Sequence, residues 1–219
     1  LKNATHRISC GQLAGEKIFG KQSFQIVPNA IQIEKFKFSP CYRNEIRQEF
    51  RIPNHQKVVG MVGIINPFKN QKFLIEIAKL MPEVTFVFVG EGPDRVMLEE
   101  KSNKLENVIF TGRRNDVHKF YSAFDIFAFP SLYEGFPMVL VEAQCSGVNI
   151  IMNETIDSTT QLNKKLCTAL PLEKEKWMNS IEKAPLLDQN RPLEEALKPF
   201  NIDENREYLK TIYKQGLER

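Results

Sequence analysis

Residues 58–90 read VVGMVGIINPFKNQKFLIEIAKLMPEVTFVFVG, and their pattern decides the fold. VVGMVGII (58–65) is an unbroken apolar run, as expected of a strand buried on both faces. Phe73, Leu74, Ile77, Ala78 and Met81 then recur at helical spacing, and TFVFVG (85–90) is a second buried strand. The alternation continues outward from this unit. A helix is expected over 93–104, a third strand at VIFTG (108–112), and a short helix over 117–124. A fourth strand follows at DIFAFP (125–130), then a helix from 137 to about 145 and a fifth strand at VNIIM (148–152). Strands alternating with helices imply a parallel sheet covered on both faces. Right-handed crossovers make it a doubly wound, Rossmann-like α/β layer. Ligands of such layers sit beyond the carboxyl ends of the strands. INPFKN, FTGRRN and FPSLYEGFP all fall there.

The flanks carry weaker signals. Residues 1–23 read as the last helix and strand of a preceding domain, and the chain opens on Leu1, which suggests a piece of a longer protein. Residues 153–166 are polar and irregular, CTALPL (167–172) reads as an edge strand, and Trp177, Met178 and Ile181 mark a helix over 173–184. Two further helices are expected near 193–199 and 204–218. The apolar stripe Tyr208, Leu209, Ile212 and Tyr213 on the last reads as core packing. The division is therefore 1–25 as tail or crossing segment, 26–185 as the main α/β domain, and 186–219 as C-terminal helices.

A chain of 219 residues can bury one good core. With 42% hydrophobic and 26% charged residues it has ordinary globular composition, and a net charge of +3 gives no reason to expect nucleic acid. Four scattered cysteines without a C-x-x-C read as reduced thiols of a cytoplasmic protein. No apolar run approaches the roughly 20 residues of a membrane span. His6, His55 and His118 are isolated, not spaced as metal ligands, and read as surface residues. There is no G-x-G-x-x-G after the first strand, no Walker A sequence and no G-x-S-x-G.

SLYEGFPMVLVEA (131–143) carries the strongest chemical signal. Pro137 suits the first position of a helix. That puts Glu134 in the loop before the helix and Glu142 about a turn and a half inside it. Free backbone N–H groups near residues 136–139, at the positive end of the helix dipole, favour a phosphate. Two carboxylates around a bare helix start can hold a sugar, a diphosphate and a ribose. Taken singly, each residue has a plainer reading: Glu134 as a solvated acid that complements the dipole, Lys69 as a surface lysine, and Glu142 as a carboxylate with a structural partner, which its apolar surroundings demand.

With IVPNAI (26–31), VGIINPFKN (62–70), VGEGP (89–93), FTGRRNDV (110–117) and DIFAFPS (125–131), this segment resembles the E-x7-E region of the retaining glycosyltransferases of family 4, the "glycosyl transferases group 1" domain, which have the GT-B fold. The resemblance runs from about Phe24 to about Ala184 and looks closest to bacterial capsule and exopolysaccharide transferases. It implies the C-terminal, donor-binding half of such an enzyme. The whole enzyme would transfer a hexose-type sugar from a nucleotide diphosphate to an acceptor hydroxyl with retention and without a metal or other cofactor. It implies that Glu134 contacts the donor sugar near its reacting centre and that Lys69 stabilises the leaving diphosphate. Glu142 would accept from the ribose hydroxyls, and Gly135, Phe136, Pro137, Met138 and Val139 would form the donor-binding helix start. The implied partners are the donor, an acceptor polysaccharide or lipid-linked saccharide, and an N-terminal domain of the same protein, without which this half is expected to be inactive. Peripheral contact of the full-length protein with the inner membrane face is also implied, and nucleic acid is not.

One departure stands out: the family's arginine after the first strand falls at Ile64. Arg113 is the first candidate substitute and Arg114 its rival, either of which could be surface charge. The family's Gly and Asp near the crossing are Ala30 and Gln32 here. VGEGP is read either as a tight strand-to-helix turn or as a close backbone approach to the diphosphate. Two other functions remain open on the sequence: a non-catalytic nucleotide-sugar-binding module, for which Ile64 argues, and a GT-B sugar-nucleotide epimerase.

Overall fold

The computed structural model describes residues 6–186 and 195–217. Two short parallel strands, β1 (Ile8–Ser9) and β2 (Gln25–Ile26), flank α1 (Gln12–Phe19). α2 (Ile33–Phe36) and α3 (Pro40–Glu49) lead into the main sheet. There follow β3 (Val58–Val62), α4 (Gln71–Ala78), β4 (Thr85–Val89), α5 (Arg95–Ser102), β5 (Val108–Gly112), α6 (Val117–Ala123) and β6 (Ile126–Phe129). The second half continues with α7 (Met138–Cys145), β7 (Asn149–Asn153), β8 (Cys167–Leu170), α8 (Lys174–Lys183), a 3-10 turn at Glu195–Phe200 and α9 (Ile202–Leu217).

The six strands β3–β8 form one parallel sheet in the order β5-β4-β3-β6-β7-β8. The chain winds outward from β3 to β5, returns to β6, and winds outward again to β8. The two directions part between β3 and β6, and a crevice opens there at the carboxyl ends. Side chains alternate between the two faces with the strand period of two. Val58, Val62, Phe127, Phe129, Ile150 and Met152 pack under α3, α6 and α7. Val59, Met61, Phe86, Phe88, Ile126 and Ile151 pack under α4, α5 and α8, where Trp177 is fully buried. Double coverage is why the strands read as continuous apolar runs, as the sequence led us to expect.

At the opposite, amino end, the central strands are tied by Asp125, which is fully buried. Its carboxylate accepts from Arg43 at 2.8 Å, from Arg47 at 2.7 Å and from the Val58 N–H at 2.9 Å. Arg47, itself 1% exposed, spends its other donors on the carbonyls of Ala123, Pro53, Asn54 and Gln56. Burial pushes the Arg47 guanidinium down and Asp125 pulls it back up. Every charge in this group is answered, which is the condition for burying it.

Several expectations change. Pro137 is the cap residue before α7 and not its first turn. The stretch near 193–199 is, where described, a 3-10 turn with Pro199 inside it, because a proline there has no N–H to give an α-helical bond. Of the stripe on the last helix only Ile212 is buried; Tyr208 and Tyr213 are 48% and 69% exposed. Core packing is therefore the wrong reading for the two tyrosines. α9 docks mainly through polar and backbone contacts near its start: Asn205 Nδ2 donates to the Pro28 carbonyl at 2.7 Å, and the Ile202 N–H to that of Ile31 at 3.0 Å. His118 is half-buried, edge-on to Tyr42 and Phe36, and burial lowers its pKa. The four cysteines are free thiols, and burial pushes Cys145 and Cys167 up to about 12. Among the described residues, no helix is long and apolar enough to cross a membrane.

Removing Asp125 leaves two guanidinium groups and one N–H without their partner. Asp125→Ala is expected to lower the unfolding free energy by about 3–5 kcal/mol in urea denaturation; a loss under about 1 kcal/mol would contradict the role assigned to it.

Candidate functional site

The crevice is walled by two loops, 63–70 after β3 and 130–137 after β6. They are braced against each other: the Leu132 N–H donates to the Phe68 carbonyl at 2.8 Å, and Asn70 Nδ2 to the Pro130 carbonyl at 3.3 Å. Asn70 can do this because it sits in the left-handed region (φ 58°), which asparagine tolerates. Asn66 Oδ1 accepts from the Lys69 N–H at 2.9 Å, a local turn of the kind that N-P sequences favour. The result brings together two residues 65 positions apart. Lys69 Nζ lies 2.6 Å from Glu134 Oε1, and 5.2 Å from the centroid of the Phe129 ring. Their side chains are 18% and 14% exposed, so the pair is sheltered yet reachable.

α7 begins three residues after Gly135. Its apolar residues face inward: Met138 packs with Ile33, Val141 and Leu197, Val139 joins the core under α6, and Phe136 stacks on Phe200 with centroids 5.6 Å apart. These side chains are partly buried by that packing, and the polar groups the segment offers are those of its backbone. Among the described residues, the N–H groups of Phe136, Met138 and Val139 make no hydrogen bond, whereas that of Leu140 donates to the Pro137 carbonyl. Gly135 is exposed, with open space where a Cβ would stand. Free donors at the positive end of a helix, a few residues from a lysine, form an anion-binding arrangement.

Glu142 sits deeper, in the second turn of α7. Its partner is Tyr121, whose hydroxyl donates to Oε2 at 2.6 Å. Burial raises the pKa of Glu142, and the bond from Tyr121 opposes this. Tyr121 is itself pushed well above its ordinary range by burial and by the neighbouring carboxylate. Sequence patterning missed Tyr121, which it absorbed into the helix over 117–124.

Other sequence candidates divide clearly. Arg114 is committed: it donates to both oxygens of Glu49 and both of Asp116, which raises its pKa, and its guanidinium lies over the Phe120 and Phe50 rings. Arg113 is exposed and makes no ion pair among the described residues. It follows β5, two strands from β3, or about 10 Å across the sheet edge, and it does not meet Lys69. Ile64 is 59% exposed and supplies no charge, and with Phe68, Leu132 and Tyr133 it leaves exposed apolar surface on the two loops. The glycines of VGEGP serve backbone packing. A Cβ on Gly90 (φ 141°) would lie 2.0 Å from the Gly63 carbonyl oxygen, and one on Gly92 2.1 Å from that of Ile65. Among the described residues no group of three His, Cys, Asp or Glu side chains is placed to hold a metal.

Comparison with known proteins gives the family and the fold. The family model described as "Glycosyl transferases group 1" matches residues 42–201. A Bacillus subtilis (strain 168) protein named "Putative glycosyltransferase EpsF" is 32% identical over 212 residues, covering 90% of this chain and 55% of that protein. The Escherichia coli UDP-Gal:alpha-D-GlcNAc-diphosphoundecaprenol alpha-1,3-galactosyltransferase is 30% identical over 140 residues, 58% of this chain and 36% of that protein. Among solved structures, Anabaena Alr3699/HepE in complex with UDP-glucose shares the fold with a TM-score of 0.77 at 24% identity, over 96% of this chain and 64% of that one. The chain thus spans about half the length of the first of these relatives and less of the second.

The half-buried carboxylate of Glu142 has a consequence for stability. Its folded pKa lies above the unfolded value, so ionised Glu142 weakens the fold. The penalty is absent below the unfolded value and sets in as pH rises through the folded one. Glu142→Gln removes the titration and keeps an acceptor for Tyr121. It is expected to melt at a higher temperature than the wild type at pH 8 and to lose that advantage as pH falls toward 4.5. Thermal unfolding of both proteins across this range checks the sign; a variant less stable at pH 8 contradicts it.

Proposed function

The chain belongs to the glycosyl transferases group 1 family, and we propose that it acts as the donor-binding half of a retaining GT-B enzyme, taking a nucleotide-diphosphate sugar. The observation that carries this reading is the meeting of Lys69 and Glu134 at 2.6 Å beside the unpaired N–H groups that open α7. A diphosphate seated on that helix start would draw on its dipole and on Lys69, both of which strengthen their hold as negative charge builds on the leaving phosphate. Glu134, released from Lys69 as the phosphate takes over the ammonium, would face the sugar and stabilise positive charge at its reacting carbon. Glu142 would accept from the ribose hydroxyls with the oxygen that Tyr121 leaves open.

The resemblance to the family supports a reading of the remainder of the reaction. The acceptor hydroxyl replaces the diphosphate on the same face of the sugar, and no metal is required because lysine and backbone donors neutralise the leaving group. The acceptor, a growing polysaccharide or a lipid-linked saccharide of the capsule or exopolysaccharide type, is held mostly by the other half of the enzyme, together with the group that takes its proton. On this reading the work is done in the cytoplasm, at the inner face of the membrane. The chain alone would bind donor weakly and not turn it over. The exposed Ile64, where the family has an arginine, favours a second reading in which the site binds donor without transferring it.

Calorimetric titration with UDP, GDP and ADP tests the first step. UDP comes first because the Anabaena neighbour was solved with UDP-glucose and the Escherichia coli relative is named for UDP-Gal. Saturable binding of one nucleotide is expected, weakened about 10- to 100-fold in Lys69→Ala, the loss of one charge-assisted contact. Binding unchanged in Lys69→Ala would remove the lysine from the site. Transfer by the whole protein, with retained anomeric configuration by NMR and undiminished by EDTA, is the outcome expected of the enzyme; donor binding without transfer to any saccharide acceptor would favour the second reading.

A further inference from the structure

Glu142 takes its hydrogen bond from Tyr121, a residue that the E-x7-E pattern does not contain. The carboxylate stands between α7 and α6, and α7 is also packed against α2, β7 and the 3-10 turn at Glu195–Phe200. Those elements carry several titratable groups: Glu34 and Lys35 on α2 with Lys37 after it, His118 and Lys119 on α6, and Lys198 in the turn, besides Cys145 on α7 itself. Lys37 is paired with Glu34 and Lys119 with Glu45. Among the described residues only Tyr121 hydrogen-bonds Glu142, through Oε2. From those residues no hydrogen bond reaches Oε1.

The identity of that partner matters. An arginine or lysine here would neutralise the carboxylate and compete for both oxygens. A phenol donates one hydrogen bond to one oxygen and leaves the charge on the other. The Tyr121 ring has no freedom to move away: it is fully buried, with the rings of Phe127, Phe36 and Phe124 at 5.5, 5.9 and 6.2 Å. Its hydroxyl thus sets the side-chain rotamer of Glu142 and the direction in which the second oxygen points.

We infer that Tyr121 is a positioning residue for donor binding: it locks one oxygen of Glu142 so that the other is presented, ionised and unpaired, to a ligand diol such as the nucleotide ribose. This rests on the donor-binding reading above. Tyr121 does not itself touch the ligand; it acts through Glu142. Losing its hydroxyl leaves the half-buried carboxylate without the one donor it has among the described residues, so protonation sets in at a higher pH and the acceptor is lost sooner on acidification.

The test is UDP titration, with GDP and ADP in parallel, of the wild type, Tyr121→Phe, Glu142→Ala and the double variant, from pH 5.5 to 8.5, each first shown to be folded by its unfolding transition. Tyr121→Phe is expected to bind the preferred nucleotide about tenfold more weakly at pH 7, the scale of one hydrogen bond to a charged group. The pH at which binding falls to half should lie higher in Tyr121→Phe than in the wild type. In the Glu142→Ala background Tyr121→Phe should add nothing, and the 2′,3′-dideoxy nucleotide should bind wild type and Tyr121→Phe alike. A Tyr121→Phe protein with wild-type affinity and an unmoved pH profile overturns the positioning role while the wild type still binds. A double variant much weaker than Glu142→Ala overturns it too, since the tyrosine would then act other than through the glutamate. Failure of the wild type to bind any of the three nucleotides overturns the donor-site reading, and this inference with it.

Discussion

The buried carboxylate of Asp125 is the constraint on which the arrangement depends. It ties β3 to the start of β6 by accepting from the Val58 N–H, and ties α3 to both by accepting from Arg43 and Arg47. Apolar packing alone would hold helices on a sheet but would not specify which two strands lie side by side where the winding reverses. A buried carboxylate demands its donors and tolerates no other register. With β3 and β6 adjacent and parallel, their carboxyl ends are adjacent too, and the loops that follow must meet. The crevice at the carboxyl edge is thus set by a polar group at the opposite edge.

Within that crevice two glutamates from one short segment have opposite environments. Glu134 stands against a lysine ammonium, and Glu142 against a neutral phenol. On the donor-binding reading proposed above, the first pair is an exchangeable one: an arriving phosphate would take over the ammonium and leave Glu134 to the sugar. The second is not, because the phenol has nowhere to go and the carboxylate is already short of donors. On the same reading a ligand hydroxyl would add to Glu142 and would not replace Tyr121. Keeping an ionised group there costs stability, a common feature of sites where a folded protein serves a ligand instead of its own packing.

The same logic explains the contacts that patterning misread. Helical periodicity marks Tyr208, Leu209, Ile212 and Tyr213 as one face, yet that face covers only part of its length because α9 is anchored near its start by Asn205 and Ile202 and the rest extends along the surface. Arg113 and Arg114 are neighbours with equal claims in the sequence. Glu49 from α3 and Asp116 take one of them and leave the other in solvent. Glycine in VGEGP reads equally as a ligand cradle or as a packing device, and the backbone of Gly63 and Ile65 fills the space that a Cβ would need.

The sequence by itself determined the doubly wound layer and the place of its crevice. Both follow from local properties: continuous apolar runs, helical spacing between them, and turn residues where strands end. It also determined that Glu134, Glu142, Lys69 and the start of α7 belong to one region, since each follows a strand at the same edge. Only the tertiary structure decided the pairings. That Lys69 reaches Glu134, that Glu142 is held by Tyr121, and that Arg114 is spent while Arg113 is not, depend on distances between elements far apart in the chain. Periodicity says which face of an element is buried; which polar group it meets there is fixed only when the elements pack.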